Sequence, residues 1–234
     1  MRRRLLLASP LLALPARPAG AEGPAVDVAL VLAVDASGSI GPEEFRLQRE
    51  GCAEAVTHPA VLSAIGGGLV GAIAVAMVEW GAPEGAETVV PWHRVGGMAE
   101  AQALATALRE APRSHQSWNA IGDALDHAAG LLQAAPFTAG RKVIDLSGDA
   151  PDMRSLRPAW LARDAAVADG ITINALAIER GGTGLSERYA ADVIGGPGAF
   201  VMRAEGREDF ARALRSKLVR EIAARPAQRM LAKH

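Results

Sequence analysis

The sequence predicts an α/β protein of the doubly wound type, with a mostly parallel central sheet flanked by helices on both faces. Apolar stretches of strand length alternate with amphipathic stretches of helix length from residue 26 to residue 224. The first of them, 28–34, is continuously apolar, which is typical of a parallel strand covered on both faces. Crossovers between parallel strands are right-handed, so the helices are expected to form one layer on each side of the sheet.

The elements follow one another with short connections. A helix begins at Pro42, because this proline and two acids occupy its first turn. Apolar runs at 69–78 and 88–95 are predicted as strands, and Pro91 suits an edge position for the second one. The later elements are helices at 98–109 and 120–133, a strand at 142–146, a helix at 155–168, a strand at 171–178, a helix at 186–194, a short strand at 199–202 and a closing helix at 208–224.

Composition excludes several classes of protein. The 234 residues carry 25 Lys and Arg against 26 Asp and Glu, so nucleic acid is not expected as a partner. Half of the residues are apolar and 22% are charged, which argues against disorder. The single cysteine, Cys52, rules out a disulfide framework and a Cys-based zinc site, and its place on a predicted helix indicates a small buried side chain.

The first 21 residues have the three parts of a secretory signal peptide: arginines at 2–4, an apolar stretch at 5–14 and small residues at 19–21. The apolar stretch is too short to span a bilayer, which needs about 20 residues. Cleavage after Ala21 would remove four arginines and lower the net charge from −1 to −5. We expect an exported protein, periplasmic or secreted, with no transmembrane anchor after cleavage. A leader that stays attached and twin-arginine export are the alternatives. The sequence contains no repeat and no long linker, so residues 22–234 are predicted to form one domain.

Polar residues stand where predicted strands end, and open parallel sheets bind ligands outside the carboxyl ends of their strands. Asp35, Ser37 and Ser39 follow the first strand, and in an extended or gently curved loop alternate side chains point the same way. Their oxygens can therefore converge on one cation of the hard type, such as Mg²⁺. One carboxylate and two hydroxyls are too few ligands. Asp149 and Ser117, beside other strand ends, can complete the set.

The segment 31–40, Val-Leu-Ala-Val-Asp-Ala-Ser-Gly-Ser-Ile, resembles the opening of a von Willebrand factor type A domain with its metal-ion-dependent adhesion site. The resemblance extends over nearly all of the chain after the predicted signal peptide. The segments 78–80, 147–149 and 194–200 are similar to a bacterial exported branch of this family, a branch of uncharacterised function. The resemblance implies a doubly wound α/β fold and a bound divalent metal, Mg²⁺ with Mn²⁺ or Ca²⁺ as alternatives.

Carried over residue by residue, the resemblance implies metal binding by the residues that match the motif: Asp35, Ser37, Ser39 and Asp149. The family also uses a threonine on a second loop. Counting back five residues from Gly122 leads to Ser117, which keeps the hydroxyl, and Asn119 is the alternative. Ala150 stands where the family usually has glycine, so the path of the loop after Asp149 is not implied.

Charge balance indicates what such a site would do. Two carboxylates cancel the charge of a divalent ion and hydroxyls add none, so the ion can accept an Asp or Glu side chain of a protein partner. We therefore expect a metal-dependent protein-binding function and not an enzyme. One alternative is a metal-dependent envelope hydrolase or phosphatase with Asp35 as nucleophile, but Ser37 stands where such sites usually have a second acid. The other is a scaffold with a purely structural metal.

Each candidate residue also has a plainer interpretation. Ser37 and Ser39 can cap a helix or form a turn, Asp149 can cap the turn into the next helix, and Ser117 can cap the helix at 120. Asp152 is expected to be a turn residue. Of the two remaining side chains near Ser117, Trp118 is expected to be buried, with a partner-anchoring rim position as the alternative, and His115 to be a solvated loop residue.

Overall fold

The computed structural model describes residues 23–179 and 181–224, in which a six-stranded sheet lies between two layers of helices. The predicted doubly wound α/β fold is confirmed. The predicted signal peptide, residues 1–21, lies outside the described residues. The strands are β1 (Ala25–Asp35), β2 (Ile73–Trp80), β3 (Glu87–Val95), β4 (Thr138–Gly148), β5 (Ile171–Ile178) and β6 (Val201–Ala204). The helices are α1 (Pro42–Thr57), α2 (Pro59–Gly66), α3 (Met98–Glu110), α4 (Ile121–Gln133), α5 (Ala159–Ala168), α6 (Leu185–Asp192) and α7 (Phe210–Ala223), the last preceded by a 3₁₀ turn, Arg207–Asp209.

The sheet has the strand order β3-β2-β1-β4-β5-β6. All neighbours pair in parallel except β3, which is antiparallel to β2 and forms one edge, as Pro91 predicts. The chain moves outward from β1 to β2 and β3 and then resumes on the other side of β1 with β4. The loops after β1 and β4 therefore leave the sheet at its topological switch point, where open α/β sheets form a crevice.

Strand β1 is the centre of the core. Leu30 and Leu32 pack on the side of α1, α2, α3 and α7, whereas Val31 and Ala33 pack on the side of α4, α5 and α6. Full burial of a Val or Leu side chain stabilises the fold by about 1.5–3 kcal/mol. Burial on both faces explains the continuous apolar run in the sequence. In the described part of the chain, no helix combines the length and the apolar character that crossing a membrane requires.

Helix α2 (Pro59–Gly66) was not among the predicted elements. His58 ends α1 and also begins α2, where its Nδ1 atom accepts a hydrogen bond of 3.1 Å from Ala60 N. The two helices are separated by a single residue, so the spacing of apolar residues in the sequence does not reveal where one helix ends and the next begins.

The predicted strand at 69–78 begins four residues later than expected. Leu69 is 98% exposed, and β2 starts at Ile73. The reason is the carboxylate of Asp27 on β1, which accepts hydrogen bonds from Val70 N (3.0 Å) and Gly71 N (2.9 Å) and holds these residues in a turn.

A fully buried ionic cluster joins α7 to β4. The Lys217 ammonium lies 2.5 Å from Asp145 Oδ1 and 2.6 Å from Glu221 Oε1. Asn174 Nδ2 also donates to Glu221 Oε1, at 2.8 Å. Burial, followed by the negative charge of Asp145, raises the pKa of Glu221 to about 8. Two carboxylates thus share one ammonium, and a proton on Glu221 balances the charge of the cluster.

Cys52 on α1 is buried, as expected. Burial raises the pKa of its thiol to about 12. The thiol therefore stays protonated at physiological pH and acts as a packing group.

Candidate metal centre

The first predicted ligand segment forms a tight turn at the end of β1. Asp35 and Ser37 are buried, and Ser39 is exposed. Ser37 N donates a hydrogen bond of 2.8 Å to Asp35 Oδ1. The hydroxyl oxygens of Ser37 and Ser39 are hydrogen-bonded at 3.1 Å. The two hydroxyls therefore face each other, and the carboxylate lies against the backbone of Ser37.

Asp149 stands beside this turn because of the strand register. Val34 of β1 pairs with Ser147 of β4. Asp35 and Gly148 are the next residues along the two strands, and Asp149 follows at once. Neighbouring strands are about 4.8 Å apart, so the loops that bear the two aspartates start side by side.

Tyr189 on α6 anchors the loop after β4. Its buried hydroxyl donates a hydrogen bond of 2.8 Å to the carbonyl of Ala150. The pKa of Tyr189 is raised well above its ordinary value, first by burial and then by the negative charges of Asp35, Asp149 and Asp152. The two candidate ligands Asp35 and Asp149 thus both lie near one phenol group.

Ser117 reaches the same place through Gly81, the residue after β2. A Cβ atom at Gly81 would lie 2.9 Å from the Ser117 carbonyl oxygen and 3.1 Å from Ser37 Cα, so only glycine lets both backbones pack here. A Cβ at Gly38 would lie 3.9 Å from Ser117 Cα. The structure therefore brings the loop of Ser117 against the turn after β1, and Ser117 is exposed there.

The loop that carries Ser117 is held by residues that the sequence analysis did not single out as functional. Gln116 Oε1 accepts from Ala82 N at 2.9 Å, and Glu79 Oε2 accepts from Ser114 N at 2.7 Å. The other oxygen of Glu79 forms a buried ion pair with Arg49 at 2.7 Å. The signal available in the sequence is a glutamate within the otherwise apolar end of β2.

The helices next to the site are capped by other residues. At the start of α1, Gly41 N donates to Glu44 Oε2 at 3.1 Å. Asp152 serves both α4 and α5: Ile121 N donates to its Oδ1 at 2.9 Å, and Ala159 N donates to its Oδ2 at 3.1 Å. Ser37, Ser39 and Ser117 therefore do not cap these helices, and the expectation of a turn is confirmed for the segment of Ser37 and Ser39.

Asn119, the alternative to Ser117, is buried behind the loop. Its carbonyl accepts from Met153 N at 2.7 Å, and its Oδ1 atom has no hydrogen-bond partner in the described part of the chain. Ser117 is exposed and Asn119 is buried, so the two candidates for this ligand differ in their access to solvent. Trp118 is half exposed, so the expectation that it is buried is wrong, and His115 is exposed as expected.

The donor set fits a hard divalent cation. It offers two carboxylates and three hydroxyls, and such ions prefer oxygen ligands. The separation of 3.1 Å between the Ser37 and Ser39 oxygens is close to the spacing of about 3 Å between adjacent ligands in an octahedral Mg²⁺ shell. Within residues 23–179 and 181–224, no group of three or more His, Cys, Asp or Glu side chains could hold a metal.

Several solved structures have a similar fold. The pilus adhesin SpaC from Lactobacillus rhamnosus GG is 17% identical with a TM-score of 0.61, over 86% of this chain and 31% of the adhesin. Proximal thread matrix protein 1 from the mussel byssus, solved with a zinc-occupied MIDAS (metal-ion-dependent adhesion site) motif, is 18% identical with a TM-score of 0.61, over 85% of this chain and 46% of the mussel protein. The vWF domain of the pilus tip protein Mfa5 from Porphyromonas gingivalis is 12% identical with a TM-score of 0.59, over 87% of this chain and 98% of that domain.

The fold is thus that of a von Willebrand factor type A domain. The chain spans less than half the length of the adhesin and of the mussel protein. It belongs to the family described as "Protein of unknown function (DUF1194)", whose model matches residues 25–226. No curated protein matches the chain.

Proposed function

We propose that this chain binds a divalent metal ion, Mg²⁺ before Mn²⁺ or Ca²⁺, and uses the ion to hold an Asp or Glu side chain of a protein partner. The residues that would hold the ion come from three loops at the carboxyl edge of the sheet: Asp35, Ser37, Ser39, Ser117 and Asp149. The observation that carries the proposal is the meeting of these loops at the switch point between β1 and β4.

The charges of the ligand set explain the preference for an acidic partner. Asp35 and Asp149 supply the two negative charges that a divalent ion needs, and the serines add oxygen ligands without charge. When bound, the ion would supply an electrophilic coordination position for a carboxylate from outside. Ser39 and Ser117 lie on the exposed side of the site, whereas Asp35 is buried, so the side of the serines is the one that a partner can approach.

The comparisons support an adhesion-type role at the level of the fold. One protein of similar fold has a zinc-occupied MIDAS motif, and two others are a pilus adhesin and a pilus tip protein. Together with the signal-like segment at 1–21, they support export to the periplasm or beyond. We propose that residues 22–234 form the exported type A domain and that it contacts its partner outside the cytoplasm.

Isothermal titration of Mg²⁺ tests the metal site. We expect the wild type to bind one ion, and Asp35→Ala to bind at least tenfold more weakly because half of the ligand charge is lost. Asp169→Ala is a matched control, since this exposed aspartate follows α5 at the opposite edge of the sheet. Identical heats from the wild type and Asp35→Ala would contradict the proposal.

A second measurement separates protein binding from a structural metal. Envelope extract is passed over the immobilised protein with Mg²⁺ or with a chelator, and the retained proteins are compared. Partners that are retained with Mg²⁺ and lost with the chelator support the proposed contact. Partners that are retained equally in both would leave only the scaffold alternative.

A further inference from the structure

An exposed platform, formed by Trp118 and Arg154, lies beside the proposed metal centre. Trp118 is 50% exposed, and the Arg154 guanidinium carbon lies 4.5 Å from the centre of its ring. Trp118 directly follows Ser117, and Arg154 lies five residues after Asp149. The platform therefore joins the two loops that contribute one candidate ligand each.

The backbone holds the platform in place. Met153 N donates a hydrogen bond of 2.7 Å to the carbonyl of Asn119, so the residues next to Arg154 and Trp118 are paired directly. Arg154 has a φ of +70°, in the left-handed region that residues with a Cβ atom rarely adopt. Strained backbone of this kind persists where the surroundings enforce it, and it is often found at ligand-binding sites.

The charge on the platform is available to a partner. In the described part of the chain Arg154 forms no ion pair, whereas Arg157, three residues later, pairs with Asp126. Two exposed apolar side chains are close to Arg154 in the sequence, since Met153 is 41% and Leu156 is 67% exposed. A cation stacked on an aromatic ring with apolar neighbours is complementary to a segment that combines negative charge with apolar side chains.

We propose that the Trp118–Arg154 platform is a second subsite, which selects partner segments carrying an apolar or aromatic residue next to the acid that reaches the metal. This inference rests on the proposed function. Consecutive Cα atoms are about 3.8 Å apart, so a partner residue adjacent to the acid at the Ser117 side of the site lies within reach of Trp118. Aromatic and arginine side chains carry much of the binding energy in protein interfaces.

A set of acetylated decapeptides of fixed flanking sequence tests the subsite. The central residue is Asp or Asn, the following residue is Leu, Phe, Ser or Lys, and binding is followed by fluorescence anisotropy in Mg²⁺ and in EDTA. We expect the wild type to bind the Asp-Leu and Asp-Phe peptides at least fivefold more tightly than Asp-Ser and Asp-Lys. Trp118→Ala should lose this preference and keep the preference for Asp over Asn.

Two further variants complete the design. Trp160→Ala is the matched control, because Trp160 on α5 is 49% exposed, and it should keep both preferences. Arg154→Gly removes the cation, and glycine suits the left-handed backbone at this position. We therefore expect this variant to fold normally and to bind the Asp-Leu and Asp-Phe peptides more weakly. If the wild type does not prefer Asp-Leu and Asp-Phe to Asp-Ser and Asp-Lys, or if Trp118→Ala keeps this preference, the proposal of a second subsite is wrong. A wild type that does not prefer Asp to Asn overturns the proposed function instead.

Discussion

The Arg49 guanidinium lies 2.7 Å from Glu79 Oε1, and both side chains are buried at the end of β2. Because Glu79 also accepts from Ser114 N, this ion pair holds the loop that leads to Ser117. The position of the Ser117 loop in the candidate site therefore depends on a charge pair that is not part of the proposed ligand set.

Glu79→Gln should leave the Arg49 charge buried without its counter-charge. We expect a loss of about 3 kcal/mol in the free energy of unfolding, measured with urea, and weaker Mg²⁺ binding by titration. Arg109→Gln is the control, because it breaks an exposed ion pair with Glu50 and should cost less than about 1 kcal/mol. Equal losses of unfolding free energy in the two variants would show that the buried pair of Arg49 and Glu79 contributes no more to stability than the exposed pair of Arg109 and Glu50.

The hydroxyl of Ser117 can be tested against the amide of Asn119. We expect Ser117→Ala to weaken Mg²⁺ binding about tenfold, equivalent to about 1.4 kcal/mol, and Ser117→Thr to keep it because threonine retains the hydroxyl. Asn119→Ala should change the Mg²⁺ affinity less, since Asn119 is buried behind the loop. Calorimetric titration of the three variants measures this order, and the reverse order would assign the ligand to Asn119.

Gly81→Ala should push two loops apart. The added Cβ would lie 2.9 Å from the Ser117 carbonyl oxygen, so we expect a loss of about 1–3 kcal/mol in unfolding free energy together with weaker Mg²⁺ binding. Gly130→Ala on α4 is the control, because a Cβ there meets no atom within 4 Å. That variant should gain up to about 1 kcal/mol, as expected for alanine in a helix. A Gly81→Ala protein that unfolds like the wild type would refute the close packing.

The buried cluster of Lys217, Asp145 and Glu221 predicts a pH dependence of stability. The pKa of Glu221 is about 8 in the folded protein, above the ordinary value of 4.5, so the native state binds more protons between these pH values. The free energy of unfolding should therefore fall as the pH rises from 5.5 to 8.5, by roughly 2–3 kcal/mol from this group. Arg141 on β4 donates to the backbone carbonyl of Glu221 and not to the Glu221 carboxylate, which contacts Lys217.

Two variants check the origin of this effect by denaturant unfolding at several pH values. Glu221→Gln removes the titrating group, and Asp145→Asn leaves Lys217 and Glu221 as a balanced pair. Both should flatten the dependence of stability on pH. An undiminished fall in Glu221→Gln would mean that another group is responsible.

Much of the fold was predictable because a strand that is buried on both faces gives a continuous apolar run in the sequence, as at 28–34 of β1. The exact ends of the helices and strands depend on local contacts that the apolar pattern of the sequence does not reveal. The helix predicted from 155 begins at Ala159, since a residue before proline, here Arg157 before Pro158, disfavours helical backbone. Strand β4 begins at Thr138 because it pairs with Ala25 on β1.

The proximity of the first three candidate ligands could be predicted because Asp35, Ser37 and Ser39 lie in one short segment. The structure folds this segment into a tight turn and not into the extended loop that the sequence analysis assumed. Glu79 and Tyr189 lie far along the chain from these residues and act only through contacts made in the folded protein. Their roles could not be inferred from local pattern.

The inert thiol of Cys52 has a practical consequence for work on this domain. Because the native cysteine is buried and stays protonated, it should not react with maleimide or methanethiosulfonate reagents in the folded protein. A cysteine placed at exposed Leu156 could then be labelled selectively in an otherwise unaltered chain. A spin label or fluorophore there would report on the loop between β4 and α5, the loop that also carries Asp149.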